Sequence, residues 1–190
     1  MRRMMTSILA VFIACVCAAA SAQAGGFAGA NYGLTFFSSS NGGGNLTTIA
    51  APGTAPLGTP TSVPGLRLGE RTARGNEFHM DLGLMALTGE GTTFTTFQVT
   101  FNYQREFSPE SKASPYINVG GGIFHTGFEG GGTNNPEFGA GFGFRNRIAD
   151  GWGDVRFEAR VDHYFEDSQG LQSSNAISLE MGFDLNFTKP

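Results

Sequence analysis

No cysteine lies beyond residue 17 of this chain. If the first residues are removed on export, nothing remains to form a disulfide, even in a compartment that permits one. Long apolar runs are equally scarce. After residue 24 no stretch approaches the ~18 uninterrupted apolar residues that a membrane helix needs. Positive charge is thin: 12 Lys and Arg stand against 16 Asp and Glu, which argues against a nucleic-acid partner. Helix-forming runs of Ala, Leu and Lys are missing as well. The chain has 29 Gly and 18 Phe instead, a balance that favours strands and turns.

The N-terminus sets the compartment. Arg2 and Arg3 form a positive start, residues 8–20 are apolar, and Ala22-Gln23-Ala24 is a cleavage site, with Ala20-Ser21-Ala22 as the neighbouring choice. Residues 1–24 therefore read as a secretory signal peptide, and residues 25–190 as one domain. Cys15 and Cys17 fall inside the signal; Phe12 at the head of Phe12-Ile13-Ala14-Cys15 makes a lipoprotein signal the weaker reading. Loss of Arg2 and Arg3 leaves 10 basic and 16 acidic residues, net −6.

The most informative run is 176–187. Ile177, Leu179, Met181, Phe183, Leu185 and Phe187 alternate with Ser178, Glu180, Gly182, Asp184 and Asn186. Successive side chains of a strand point to opposite faces, so this strand has one apolar and one charged face. The alternation recurs over residues 27–37, 77–87, 93–103, 116–126, 137–147 and 155–165, each near the 9–11 residues of a tilted membrane strand. Seven strong runs call for an eighth, since single-chain bacterial barrels have even strand numbers. Residues 62–71 are the candidate, with Leu66 and Leu68 outward and Arg67 inward; residues 38–61 then form an outer loop. The remaining outer loops fall at 88–92, 127–136 and 166–174, and the inner turns at 72–76, 106–114 and 148–153. Aromatics near strand ends, Phe36 and Phe165 outside and Tyr103, Tyr116, Trp152 and Phe187 inside, form interfacial girdles. The pattern predicts an all-β fold: an eight-stranded antiparallel up-and-down transmembrane β-barrel with lipid outside and polar groups inside.

Loose motifs point the same way. Ser114-Pro115-Tyr116-Ile117-Asn118-Val119-Gly120-Gly121-Gly122, Gly139-Ala140-Gly141-Phe142-Gly143-Phe144, Arg156-Phe157-Glu158-Ala159-Arg160 and Gly182-Phe183-Asp184-Leu185-Asn186-Phe187 together resemble the outer-membrane protein A-like, porin-family eight-stranded outer-membrane barrels. The resemblance implies location in a Gram-negative-type outer membrane and delivery by the barrel assembly machinery. It also implies contact with outer-membrane lipid and lipopolysaccharide, and a structural, surface-interaction or narrow-channel role. It implies no cofactor and fixes no oligomeric state. One departure is that Thr188, Lys189 and Pro190 follow Phe187, where the family ends on the aromatic.

The residues that could carry chemistry are the inward charges: Glu77, His79, Asp81, Arg145, Arg156, Glu158, Arg160, Asp162, Glu180 and Asp184. An eight-stranded interior is just wide enough for side chains to fill, so charges there must pair. With positions summing to 340 opposite each other, Arg160 would meet Glu180 and Arg156 would meet Asp184. A structural salt-bridge network is the favoured reading, and a gate in a narrow path the second. His79, between Glu77 and Asp81, reads as a hydrogen-bonded interior residue before a metal or proton site. The Gly clusters lack the following helix of a phosphate loop. Around His163 the chain is similar to the outer-membrane lipid A deacylases, where a Ser two residues after the His begins the catalytic set. Here that position is Phe165, which cannot attack an ester, and Ser168 is five residues away. The expectation is a protein without catalytic, cofactor or metal residues. The alternatives are a deacylase-like enzyme, or a soluble periplasmic barrel with the opposite sidedness.

Overall fold

A computed structural model describes residues 25–39, 46–50, 65–89, 92–128, 131–165 and 173–187. The signal segment, Ser168 and the three residues after Phe187 lie outside them. The strands are β1 (Gly25–Ser39), β2 (Leu46–Ala50), β3 (Gly65–Arg71), β4 (Asn76–Gly89), β5 (Thr92–Glu106), β6 (Ala113–Phe128), β7 (Gly131–Ile148), β8 (Gly153–Tyr164) and β9 (Ser174–Asn186). A single 3-10 turn, Ala149–Gly151, is the one helical piece among the described residues, and Asp150 there has φ of 54°.

Neighbours in sequence pair antiparallel from β3 through β9, and β9 returns to pair with β1 along residues 27–39. The sheet is therefore closed, and no strand edge is left unpaired along that seam. Nine strands make an eight-position barrel because β2 and β3 share one position. Both pair with the same side of β1: β2 with residues 33–37 and β3 with residues 25–30. Gly33 faces Ala50 but Ala30 faces Leu66, so 16 residues separate positions that three would join in a continuous strand.

The sidedness follows the alternation. Leu179 is 54% exposed on the outer face, whereas Asp184 on the same strand is fully buried inside. Leu66, Phe97, Ile117, Phe142, Phe157, Val161 and Phe183 are exposed apolar side chains of the outer wall. Arg67, Glu77, His79, Asn102, Glu106, Asn118, Arg145 and Arg156 are buried in the interior. A barrel whose buried side chains are charged and whose exposed ones are apolar has the inverse of a soluble protein's distribution.

Four expectations change. The second strand is not the single run 62–71; it is β3 from Gly65 plus β2, which lies within the span read as loop 38–61. Five Gly and three Pro in that span hid a five-residue strand. The outer loop 127–136 is largely strand: β6 reaches Phe128 and β7 begins at Gly131, a hairpin extending beyond β8. The loop 88–92 likewise shrinks, since Gly89 pairs with Thr92. Tyr116 belongs to no girdle: it points into the interior with no exposed surface.

Candidate functional site

The interior is built by the inward residue of each strand, taken two at a time along the chain. At the end bearing Gly25 and Asn186, four arginines meet five carboxylates. Arg71 Nε donates to Glu77 Oε2 at 3.0 Å, and Nη1 donates to Asp154 Oδ2 at 2.8 Å. Arg145 Nη2 donates to Glu77 Oε2 at 2.5 Å, and its Nη1 donates to Glu106. Arg156 binds Asp184 through two bonds, Nε to Oδ2 at 2.6 Å and Nη2 to Oδ1 at 3.1 Å, and Nη2 also reaches Asn31 Oδ1 at 2.6 Å. Arg67 binds Asp81 in the same two-pronged way, at 2.8 and 3.2 Å. The fork of a guanidinium matches a carboxylate edge, which is why arginine and not lysine fills this space. Phe27 and Tyr116 close the remaining gaps: Arg71 lies 5.4 Å from the Phe27 ring centre, and Arg145 lies 5.9 Å from that of Tyr116.

Further from the termini the balance shifts. Tyr116 Oη and Asn118 Nδ2 donate to Glu158, at 3.0 and 3.1 Å. Gln98 donates to Glu137 at 2.9 Å, and Ser178 to Glu180 at 3.1 Å. Arg160 is the arginine of this half; its Nε donates to Asp162 at 2.7 Å and its Nη1 to Asn102 Oδ1 at 3.0 Å. A cavity of about 60 Å³ opens here, lined by Asn31, Asp81, Gln98, Arg160, Asp162 and Glu180 among others.

The sequence-derived register between the last two strands was wrong by two. Opposed positions of β8 and β9 sum to 338, so Arg160 faces Ser178, and Arg156 faces Gly182. Glu158 stands directly opposite Glu180, Asp154 opposite Asp184, and Arg145 opposite Arg156. Like charges directly opposed are unfavourable, and the structure resolves them on the diagonal and within a strand. Arg156 reaches Asp184 two residues along β9, and Arg160 turns to Asp162 on its own strand. The expected Arg160–Glu180 pair is thus replaced by Arg160–Asp162. Charge complementarity alone misassigned the register because it assumed opposed positions.

All ten interior residues taken from the sequence face inward. Arg71, Glu106 and Asp154 complete the arginine–carboxylate block and were not among them. Arg71 and Glu106 are the last residues of β3 and β5, at the boundaries where alternation is hardest to extend. His79 sits beside Glu77 at 3.1 Å and Asp81 at 3.6 Å, with Phe27 covering it at 6.5 Å between ring centres. Among the described residues no group of three or more His, Cys, Asp or Glu is placed to hold a metal ion. His163 is on the outer wall, bonded through Nδ1 to Asn175 at 2.8 Å, with the Phe165 ring edge-on at 4.7 Å.

No family model matches the chain, and no curated protein matches it. Solved structures do. Neisserial surface protein A superposes with a TM-score of 0.64 at 15% identity, over 85% of this chain and 97% of that one. Ail, the attachment invasion locus protein of Yersinia pestis, solved with the heparin analogue sucrose octasulfate, superposes with a TM-score of 0.50 at 11% identity, over 86% and 99%. The shared property is the fold, an eight-stranded antiparallel barrel.

Proposed function

We propose that this chain is an integral outer-membrane barrel, exported by its first 24 residues, whose filled interior is structural and whose outer end meets its partners. Sidedness carries the reading: an apolar outer wall and a buried ionic interior suit lipid outside, and only a closed barrel satisfies its backbone there with strands. Barrel assembly machinery and outer-membrane lipid, lipopolysaccharide included, are the partners this location supplies. The soluble ligand-binding alternative needs the opposite sidedness. The deacylase alternative needs a nucleophile where Phe165 stands. In our reading the protein catalyses no reaction.

The outer loops also narrow the partner. Residues 38–64, 90–91, 129–130 and 166–172 contain no Lys or Arg, while Glu90, Glu129, Glu166 and Asp167 are acidic. A sulfated polyanion of the kind bound to Ail has no cationic counterpart in these loops, so a neutral or basic partner fits better.

The test uses the cysteine-free mature chain. Single cysteines at Leu179 and Glu180 are probed in vesicles with lipid-soluble and aqueous thiol reagents. Leu179→Cys should react only with the lipid-soluble reagent. Equal aqueous labelling of Leu179→Cys, or recovery of the protein without detergent, would refute the membrane reading.

A further inference from the structure

The lipid-facing wall of β5 runs Phe97, Val99, Phe101, Tyr103, Arg105 toward the end bearing the chain termini. Two residues of a strand advance about 6.8 Å, or about 5 Å of depth at the usual tilt. An apolar wall thus gives way to an interfacial tyrosine and then, one step lower, to a cation. On β4 the matching residues are Phe78, opposite Tyr103, and Asn76, opposite Arg105. The Phe78 and Tyr103 ring centres are 5.1 Å apart.

Arg105 is held in place. Both hydrogens of Nη1 are used, one on Arg74 O at 2.8 Å and one on Asn76 Oδ1 at 2.6 Å. Tyr103 Oη donates to the same Asn76 Oδ1 at 3.0 Å. Two consequences follow from donor geometry. The Nε and Nη2 edge of Arg105, the edge that grips a phosphate or carboxylate with two parallel bonds, has no partner among the described residues. Asn76, with Oδ1 fixed by two donors, presents Nδ2 as a further donor.

We propose that this corner is a phospholipid site. The phosphodiester of an inner-leaflet phospholipid docks on the Nε/Nη2 edge of Arg105 with Asn76 Nδ2 as third donor, and its chains lie over Phe78, Phe101 and Ile117. Arginine binds phosphate side-on with charge-assisted bonds, and the level just below an aromatic belt is where headgroup phosphates sit. Headgroup identity is secondary, since the phosphate is common to zwitterionic and anionic lipids. The site rests on the membrane reading above and adds a ligand to it.

Native mass spectrometry of the detergent-solubilised barrel tests it. The protein is titrated with phosphatidylglycerol, phosphatidylethanolamine and the diacylglycerol of the same chains. One phospholipid of either headgroup should bind per barrel, and the diacylglycerol should bind at least tenfold more weakly. Arg105→Gln should weaken phospholipid binding about tenfold. Lys112→Gln, which removes an exposed cation of the neighbouring turn between β5 and β6, should stay within about twofold of wild type. Wild-type affinity in Arg105→Gln, equal binding of the diacylglycerol, or displacement of the lipid by millimolar inorganic phosphate would overturn the site. Each variant is first shown to migrate differently in gels when boiled and unboiled. Loss of selectivity in a barrel that passes this check counts against the site alone; failure of the wild type to pass it counts against the membrane reading and the site together.

Discussion

Asp184→Asn is the sharpest probe of the ionic interior. The substitution keeps volume and shape but removes the charge that Arg156 contacts at 2.6 and 3.1 Å. Arg156 would remain buried with Asn31 Oδ1 as its neutral partner. Two unit charges 4 Å apart at an effective dielectric of 20 interact by about 4 kcal/mol, and breaking a buried pair by deleting one member costs about 3–5 kcal/mol. Asp184→Asn should therefore destabilise the barrel by about 3–5 kcal/mol. The reverse deletion is milder. Arg156→Met leaves Asp184 with Arg145 at 3.7 Å, so about 1–2 kcal/mol is expected. The double variant should cost less than the two single costs combined by at least about 1 kcal/mol. Urea unfolding in lipid vesicles measures this, followed by emission of Trp152, the sole tryptophan, which is 54% exposed at the inner rim. The reasoning fails if Asp184→Asn lies within about 0.5 kcal/mol of wild type, if Arg156→Met is the costlier change, or if the two effects add.

Three further outcomes follow from the same geometry. A double-mutant cycle should show Arg160 coupled to Asp162 by more than about 1 kcal/mol and only weakly coupled to Glu180; the opposite ordering would restore the register that the structure replaces. Gly122→Val should cost more than about 2 kcal/mol in the same urea assay or prevent closure, because a Cβ there meets Thr100 Cα at 2.8 Å and the Val99 carbonyl; stability equal to wild type would contradict the close approach of β5 and β6. Incubation with lipid A should release no fatty acid, and His163→Ala should change nothing; release by the wild type that is lost in both His163→Ala and Ser168→Ala would establish the deacylase alternative.

The fold was legible because alternation is a long-range signal repeated along the chain. Where a strand alternates large apolar with charged residues, as in 176–187, both its existence and its sidedness can be read directly. Where Gly, Thr and Asn replace the apolar residues, alternation fades. Gly131 to Asn135 extend β7 beyond the wall, and Leu46 to Ala50 form β2, with little contrast between faces. The interior was legible as a set of residues and poorly legible as pairs. A strand pattern states that Arg160 and Glu180 both point inward. It does not state that β8 and β9 oppose at 338 instead of 340, and a shift of two keeps every side chain on its face. Tyr116 shows the same limit in another form. An aromatic near a strand end suggests an interface, yet here the ring is needed inside, where its hydroxyl reaches Glu158.

The unequal filling of the interior decides what the barrel can do. At the inner end Arg145 touches Glu77 and Glu106, and Arg71 joins Glu77 to Asp154, so strands β3, β4, β5, β7 and β8 are tied across the lumen. An ion entering there would have to separate buried guanidinium–carboxylate pairs, at several kcal/mol for each broken pair. The outer half has space for a few waters, and its carboxylates outnumber Arg160. A lumen roomier in one half and locked in the other is a poor conduit. Any leak through it should favour cations, because Asp81, Asp162 and Glu180 line the wider part. Planar-bilayer recordings should accordingly show conductance far below that of a wide porin, and Glu180→Lys should lower cation preference in whatever remains. Large, stable openings in the wild type would show that the arginine block yields, and the role would then move from the outer loops to the lumen.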